Sequence, residues 1–127
     1  MPQYQFTVEA VPHHLADQSS PEQAVYGFAY QVTIHNSGTV AAQLISRHWI
    51  ITDGNGRTEE VKGLGVVDQQ PLLQPGESFQ YTSGCRLRTP TGAMRGSYFC
   101  VAEDGTRFEA EIPAFILDAG GGARVLH

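Results

Sequence analysis

Hydrophobic and polar positions alternate with a period of two through most of the chain, and no segment carries an apolar stripe at helical spacing. The run from Ala24 to Asn36 is the clearest case. Tyr26, Phe28, Tyr30, Val32 and Ile34 fall on one face, and Gly27, Ala29, Gln31 and Thr33 on the other, as in a half-buried strand. A first strand is predicted over Gln3–Val11, where Tyr4, Phe6 and Val8 alternate with Gln5, Thr7 and Glu9. Pro12 is expected to end it, and the polar stretch His13–Gln23 reads as a connection. Val40–Thr52 is a further strand, but Leu44, Ile45, Trp49, Ile50 and Ile51 make both its faces partly apolar, so the pattern leaves the side of Trp49 open. Asp53-Gly54-Asn55-Gly56 is a tight turn into a short charged strand, Arg57–Lys62, of edge character.

Gly63–Gly76 then reads as a long irregular connection. Alternation resumes over Ser78–Leu87, with Phe79, Tyr81, Ser83, Cys85 and Leu87 in phase against Gln80, Thr82 and Arg86. Ala93–Ala102 and Thr106–Leu117 form the last predicted pair. Pro113 removes a ladder donor, which confines its strand to an edge or a bulge. Residues 118–127, with three consecutive glycines, are expected to form a flexible tail. Seven or eight mainly antiparallel strands punctuated by turns mean an all-β sandwich or small barrel; the clean alternation of faces and the long central connection favour the sandwich, occupying residues 1–117 as one domain.

A chain of 127 residues is long enough for such a core, burying about two-thirds of its unfolded surface without metals or disulfides. Charge narrows the partners. The formal net charge is -5 and Lys62 is the single lysine, which excludes a broad cationic surface for nucleic acid or anionic lipid. The N-terminal MPQYQFTVEAVPHHL lacks the basic start and apolar core of a secretion signal, and no apolar run reaches membrane-spanning length. A cytoplasmic location is the expectation. The separation of Cys85 and Cys100 permits a disulfide; with no export signal, a reduced pair is the simpler reading.

The central stretch is the one motif-like segment. Gly63 and Gly65 stand one residue apart beside Lys62, so their backbone N–H groups could open toward an anion. A dinucleotide fingerprint needs a third glycine and a following helix; Asp68 holds that third position and would repel a phosphate unless a metal or arginine intervened. Arg86 and Arg88, with Arg95, cluster around one turn and are candidate anion contacts for the Gly63–Asp68 loop. The alternative for these glycines is simple turn geometry, and for the arginines ordinary surface charge. His35 and His48 lie near strand ends and could approach across a hairpin, but no third ligand accompanies them, and no metal site is assigned. The Asp53 turn starts like a calcium loop and fails where Arg57, Thr58 and Leu64 replace the required residues. Cys85 alternates in phase with core residues, and no nucleophile elbow or acid–base pair is present, so no catalytic residue is assigned.

Taken in order, Gly63-Leu64-Gly65-Val66-Val67, Gln70-Pro71, Pro75-Gly76, Phe79, Tyr81-Thr82-Ser83-Gly84, Thr89-Pro90, Gly92, Met94, Gly96, Tyr98, Phe108, Ile112-Pro113 and Phe115 resemble the ApaG family, from about Tyr4 to Leu117. The resemblance implies an immunoglobulin-like or fibronectin type III-like sandwich. It brings a family-level link to cobalt and magnesium resistance or efflux, without a transport mechanism. Related domains inside F-box substrate receptors and a polymerase-interacting mitochondrial protein imply a protein-binding module. A glycine-rich phosphate or pyrophosphate motif discussed for the family falls on Gly63 and Gly65, with Asp68 in place of its third glycine.

Together these observations predict a non-catalytic module that engages an unidentified protein partner. The alternative is phosphate, pyrophosphate or nucleotide binding at Gly63–Asp68, with or without a divalent ion. An enzyme acting on such a phosphate compound ranks below both. A monomer and a homodimer are both compatible with the strand pattern.

Overall fold

The computed structural model describes residues 2–120. Among the described residues eight strands form two sheets: β1 (Phe6–Ser20), β2 (Val25–Asn36), β3 (Ala42–Asp53), β4 (Thr58–Leu64), β5 (Leu72–Leu73), β6 (Ser78–Leu87), β7 (Thr91–Ala102) and β8 (Arg107–Asp118). The smaller sheet runs β1-β2-β6 and the larger β4-β3-β7-β8, with the short β5 also paired to β3. Every pairing is antiparallel. The period-two pattern explains the layering. Phe28, Tyr30, Val32 and Ile34 from β2 face Leu44, Trp49, Met94, Tyr98 and Ile112 from the larger sheet, and all are buried. Asn36 is buried as well, with its side chain fully bonded: Nδ2 donates to the carbonyls of Val40 and Leu73, and Oδ1 accepts from the Gly38 N–H.

Two expectations fail here. Pro12 does not end β1, which pairs with β2 through Pro12↔Tyr30 and on to Leu15↔Gly27 before reaching Ser20. β1 is an edge strand, where a proline can turn its donor-less nitrogen away from the ladder. Pro21–Gln23 then makes a single 3-10 turn. The stretch from Gly63 to Gly76 is not wholly irregular either. β4 runs on to Leu64, Val66 and Gln69 close a two-residue hairpin, and β5 returns to β3.

Pro113 lies on the edge strand β8, beside the register shift between Met94↔Phe115 and Gly96↔Ile112, so both features expected of it occur. Asp118 is still in β8, and the Ala119 N–H donates to the Pro90 carbonyl. The rest of the expected tail, 121–127, lies outside the described residues. Cys85 on β6 and Cys100 on β7 are free thiols in opposite sheets. Burial pushes the Cys85 thiol up to about 11, and that of Cys100 up to about 12.

Candidate functional site

A bulge in β3 determines which side chains reach the site. The β3–β7 register shifts between Leu44↔Cys100 and Ser46↔Phe99, leaving Ile45 unpaired. Parity reverses across this extra residue. Leu44 faces the core before it, and Trp49 faces the core after it, with Arg47 on the same side as Trp49. The arginine is therefore turned inward, opposite Gly63 on β4 and the buried Tyr98 on β7. Its Nη1 donates to the carbonyls of Leu64 and Gly65, at 3.0 and 2.9 Å. Gly63 supplies the room: a Cβ there would stand 2.8 Å from Nη2.

Beyond this clamp the chain makes a hairpin. Val66 and Gln69 exchange both backbone hydrogen bonds, at 2.8 and 2.9 Å. The two residues between them, Val67 and Asp68, have φ of 43° and 65°, the left-handed values of a type I′ turn. Gly65 also has φ +66°, and a Cβ there would lie 2.4 Å from the Gln69 carbonyl oxygen. Asp68 thus occupies the third-glycine position without loss of the turn, because Asp tolerates this conformation better than most residues. Val67 is β-branched and tolerates it poorly, so the hairpin carries backbone strain there. The loop is tied back to β3 by the Gly65 N–H and the Gln70 side chain, both donating to the Ile45 carbonyl, and by the Leu44 N–H donating to Pro71. On this fixed scaffold Leu64, Val67 and Leu72 are 74%, 48% and 57% exposed.

Two hollows flank Arg47. One, of about 480 Å³, lies toward Ser46, His48, Lys62, Gly63, Phe99 and Glu109. The other, of about 190 Å³, opens between the sheets under the hairpin and is lined by Tyr30, Trp49, Val66–Asp68, Tyr81 and Ser83. Tyr81 and Tyr98 join their hydroxyls beside it at 2.5 Å. Burial pushes the Tyr81 phenol up to about 12 and raises Tyr98, which the neighbouring Tyr81 raises further. Burial likewise raises Tyr30, against the opposing effect of a bond to Ser83. None of these phenols ionises near neutral pH, so they act as neutral hydrogen-bonding groups.

The predicted site residues do not converge. Lys62 and Gly63 share the larger hollow; Gly65 and Asp68 line a third, shallow depression on the loop with Leu64 and Gln70, and Asp68 also borders the hollow under the hairpin. Arg86 lines a different depression on the smaller sheet, with Leu15, Gln18 and Phe28, and Arg88 is exposed beyond β6. Arg47, absent from the sequence-based candidates, is the cation that the Gly63–Asp68 stretch actually meets. His35 and His48 lie in opposite sheets and do not approach each other; His35 bonds Ser78, and His48 pairs with Glu60 at 2.7 Å. Among the described residues no group of three or more His, Cys, Asp or Glu is arranged to hold a metal ion. Among them, no helix is long and apolar enough to cross a membrane.

Three strands against four or five, connected in this order, define the class: a fibronectin type III-like sandwich with an elaborated β4–β6 connection. The ApaG domain matches residues 16–102. The chain is 62% identical to Protein ApaG of Acidovorax sp. (strain JS42), with both chains fully covered, and 60% identical to Protein ApaG of Dechloromonas aromatica (strain RCB), covering 98% of this chain and 95% of that one. A crystal structure of the putative ApaA protein from Bordetella pertussis superposes with a TM-score of 0.90 at 57% identity, covering 92% of this chain and 95% of that one. The chain belongs to the ApaG family.

Proposed function

We propose that this chain is a non-catalytic binding module that engages a protein partner through the loop carrying Leu64, Val67 and Leu72. The supporting observation is that these exposed apolar side chains stand on a loop held by the Arg47 clamp and bonds to β3. A surface already fixed before binding loses little conformational entropy on association. Val67 sharpens the argument: it keeps an unfavourable backbone conformation, and its side chain is too exposed to repay the strain by core packing. The test is a triple variant, Leu64→Ser, Val67→Ser and Leu72→Ser, compared with wild type by crosslinking in cells. The wild type is expected to yield a discrete partner adduct that the folded variant loses; retention of that adduct by the variant contradicts the reading.

A second reading rests on Arg47 joining Lys62 and Gly63 around one hollow, which places two cationic side chains beside the glycine stretch. This favours phosphate or pyrophosphate there, alone or with a divalent ion. The latter would connect the site with the family-level link to cobalt and magnesium. Calorimetric titration with pyrophosphate and nucleotides, with and without magnesium or cobalt, decides it: heat that Lys62→Ala reduces supports the reading, and its absence retires it. We also propose a cytoplasmic location, in keeping with two free thiols in a compartment that keeps thiols reduced.

A further inference from the structure

We propose that the hollow between the sheets, under the Val66–Gln69 hairpin, binds a small zwitterion of the size of an α-amino acid, with its carboxylate on Arg47 and its ammonium on Asp68. The hollow lies under the same hairpin and shares Val67 with the exposed apolar surface, but it takes a small polar ligand, with chemistry different from that of a protein partner or a phosphate.

The interior of a β-sandwich is ordinarily filled by apolar side chains, yet this hollow is lined by Arg47, Asp68, Ser83 and the hydroxyl-bearing Tyr30 and Tyr81. Arg47 commits Nη1 to two loop carbonyls, which leaves Nη2 and Nε as further donors. Asp68 lines the same hollow, and among the described residues no cation contacts it, the ion pair formed being His48–Glu60. A simple anion attracted to Arg47 would meet the Asp68 carboxylate, and a simple cation attracted to Asp68 would meet the guanidinium. A ligand with one charge of each sign satisfies both.

Size and wall chemistry agree with this. About 190 Å³ lies below the range of about 300–1,000 Å³ typical of sites for drug-sized ligands, and it admits a small amino acid but not a nucleotide. The rings of Tyr30 and Trp49 pack with centroids 5.2 Å apart in the wall, and aromatic faces attract an ammonium group. The hydroxyl-bearing Ser83 and Tyr30 line the same hollow as Arg47, and hydroxyls are donors of the kind a carboxylate accepts. The strained turn at Val67 is what carries Asp68 to the rim.

Trp49 is the single tryptophan of the chain and lines this hollow, so a change in its emission carries no contribution from another tryptophan. The experiment titrates the full chain with glycine, alanine and serine, and separately with acetate, phosphate and methylammonium, following Trp49 fluorescence and amide NMR shifts. The amino acids are expected to give a saturable emission change, with shifts centred on Val66–Asp68 and Ser83. Each single-charge ion should bind about tenfold or more weaker, the worth of one charge-assisted hydrogen bond. Asp68→Asn keeps a residue that accepts the left-handed turn and should cost a similar factor for the amino acids while tightening acetate, because it removes the carboxylate that opposes an anion on Arg47. No saturable change with any amino acid overturns the proposal. So does acetate or phosphate binding as tightly as the amino acids, which would make the hollow a plain anion site.

Discussion

The guanidinium of Arg47 packs so closely on the backbone of Gly63 that a Cβ at that position would stand 2.8 Å from Nη2 and 2.9 Å from Cζ. The first glycine of the central motif is thus accounted for by an arginine on the neighbouring strand, whose Nη1 holds the Leu64 and Gly65 carbonyls. Replacing Gly63 by Ala pushes aside only the end of a flexible side chain. The expected cost is about 1 kcal/mol, from weakening the clamp. Gly65→Ala should cost more, about 3 kcal/mol, because it adds a left-handed φ penalty to a Cβ placed 2.4 Å from the Gln69 carbonyl oxygen. Urea unfolding of the two variants measures the difference, and equal midpoints would refute the separate roles assigned to these glycines.

Val67 offers the opposite change. At φ 43°, in the first central position of a type I′ turn, Asn is favoured over a β-branched residue. Val67→Asn is expected to stabilise the fold by about 1 kcal/mol while weakening partner capture through loss of an exposed apolar contact. Thermal unfolding and crosslinking yield, read on the same preparation, test both halves. A destabilised Val67→Asn would mean that the side chain is there for packing.

The Tyr81–Tyr98 hydroxyl pair is a buried bond between the two sheets. Tyr81→Phe leaves the Tyr98 hydroxyl, on a fully buried residue, without its partner, at a cost of about 1–3 kcal/mol. Removing both hydroxyls removes the unpaired group too, so the double Phe variant should lose less than the sum of the single losses. A double-mutant cycle in urea gives the coupling, and strict additivity would mean the bond contributes nothing.

The same burial sets the alkaline limit of the fold. Tyr81 rises from 10.0 to about 12 and Cys100 from 9.0 to about 12. A raised folded-state pKa means that the folded chain holds its proton more tightly than the unfolded chain. The stabilisation is complete below the unfolded values and is lost as pH climbs toward the folded ones. Stability should therefore decline from about pH 9 upward, a tenfold tighter hold on one proton being worth about 1.4 kcal/mol. Denaturant midpoints across about pH 7–12 follow the decline. Native Cys85 and Cys100 should also resist iodoacetamide at about pH 8, where their thiolates are scarce, and react once unfolded. Rapid labelling of the native protein would contradict the burial assigned to them.

The legible parts of this fold are those where period two survives. Tyr26 to Ile34 face the core as their alternation requires, and Pro113 meets both the edge and the bulge that its missing donor demands. Where a bulge intervenes, the pattern loses phase. One extra residue at Ile45 reverses the faces of β3, which is why alternation does not place Trp49 and why Arg47 is absent from the sequence-based candidates. Pro12 misleads because an edge strand tolerates it, and edge position is a tertiary fact. In the central stretch, Gly63 and Gly65 are recognisable, but their reasons lie outside it: the Arg47 guanidinium for one, the Gln69 carbonyl for the other. Charge alone groups Arg86 and Arg88 with the loop, whereas Arg86 falls in a separate hollow on the smaller sheet.

The claim that the Arg47-clamped loop is a partner-binding surface is tested most directly by a photo-crosslinking amino acid at exposed Gln69, beside Val67, with a matched probe at exposed Glu9 on the smaller sheet. Irradiation in cells, followed by mass spectrometry, should give a discrete heterologous adduct at Gln69. That adduct should be absent at Glu9 and should disappear when Leu64, Val67 and Leu72 are changed to serine. The same adducts from both positions, or none from Gln69, would contradict it.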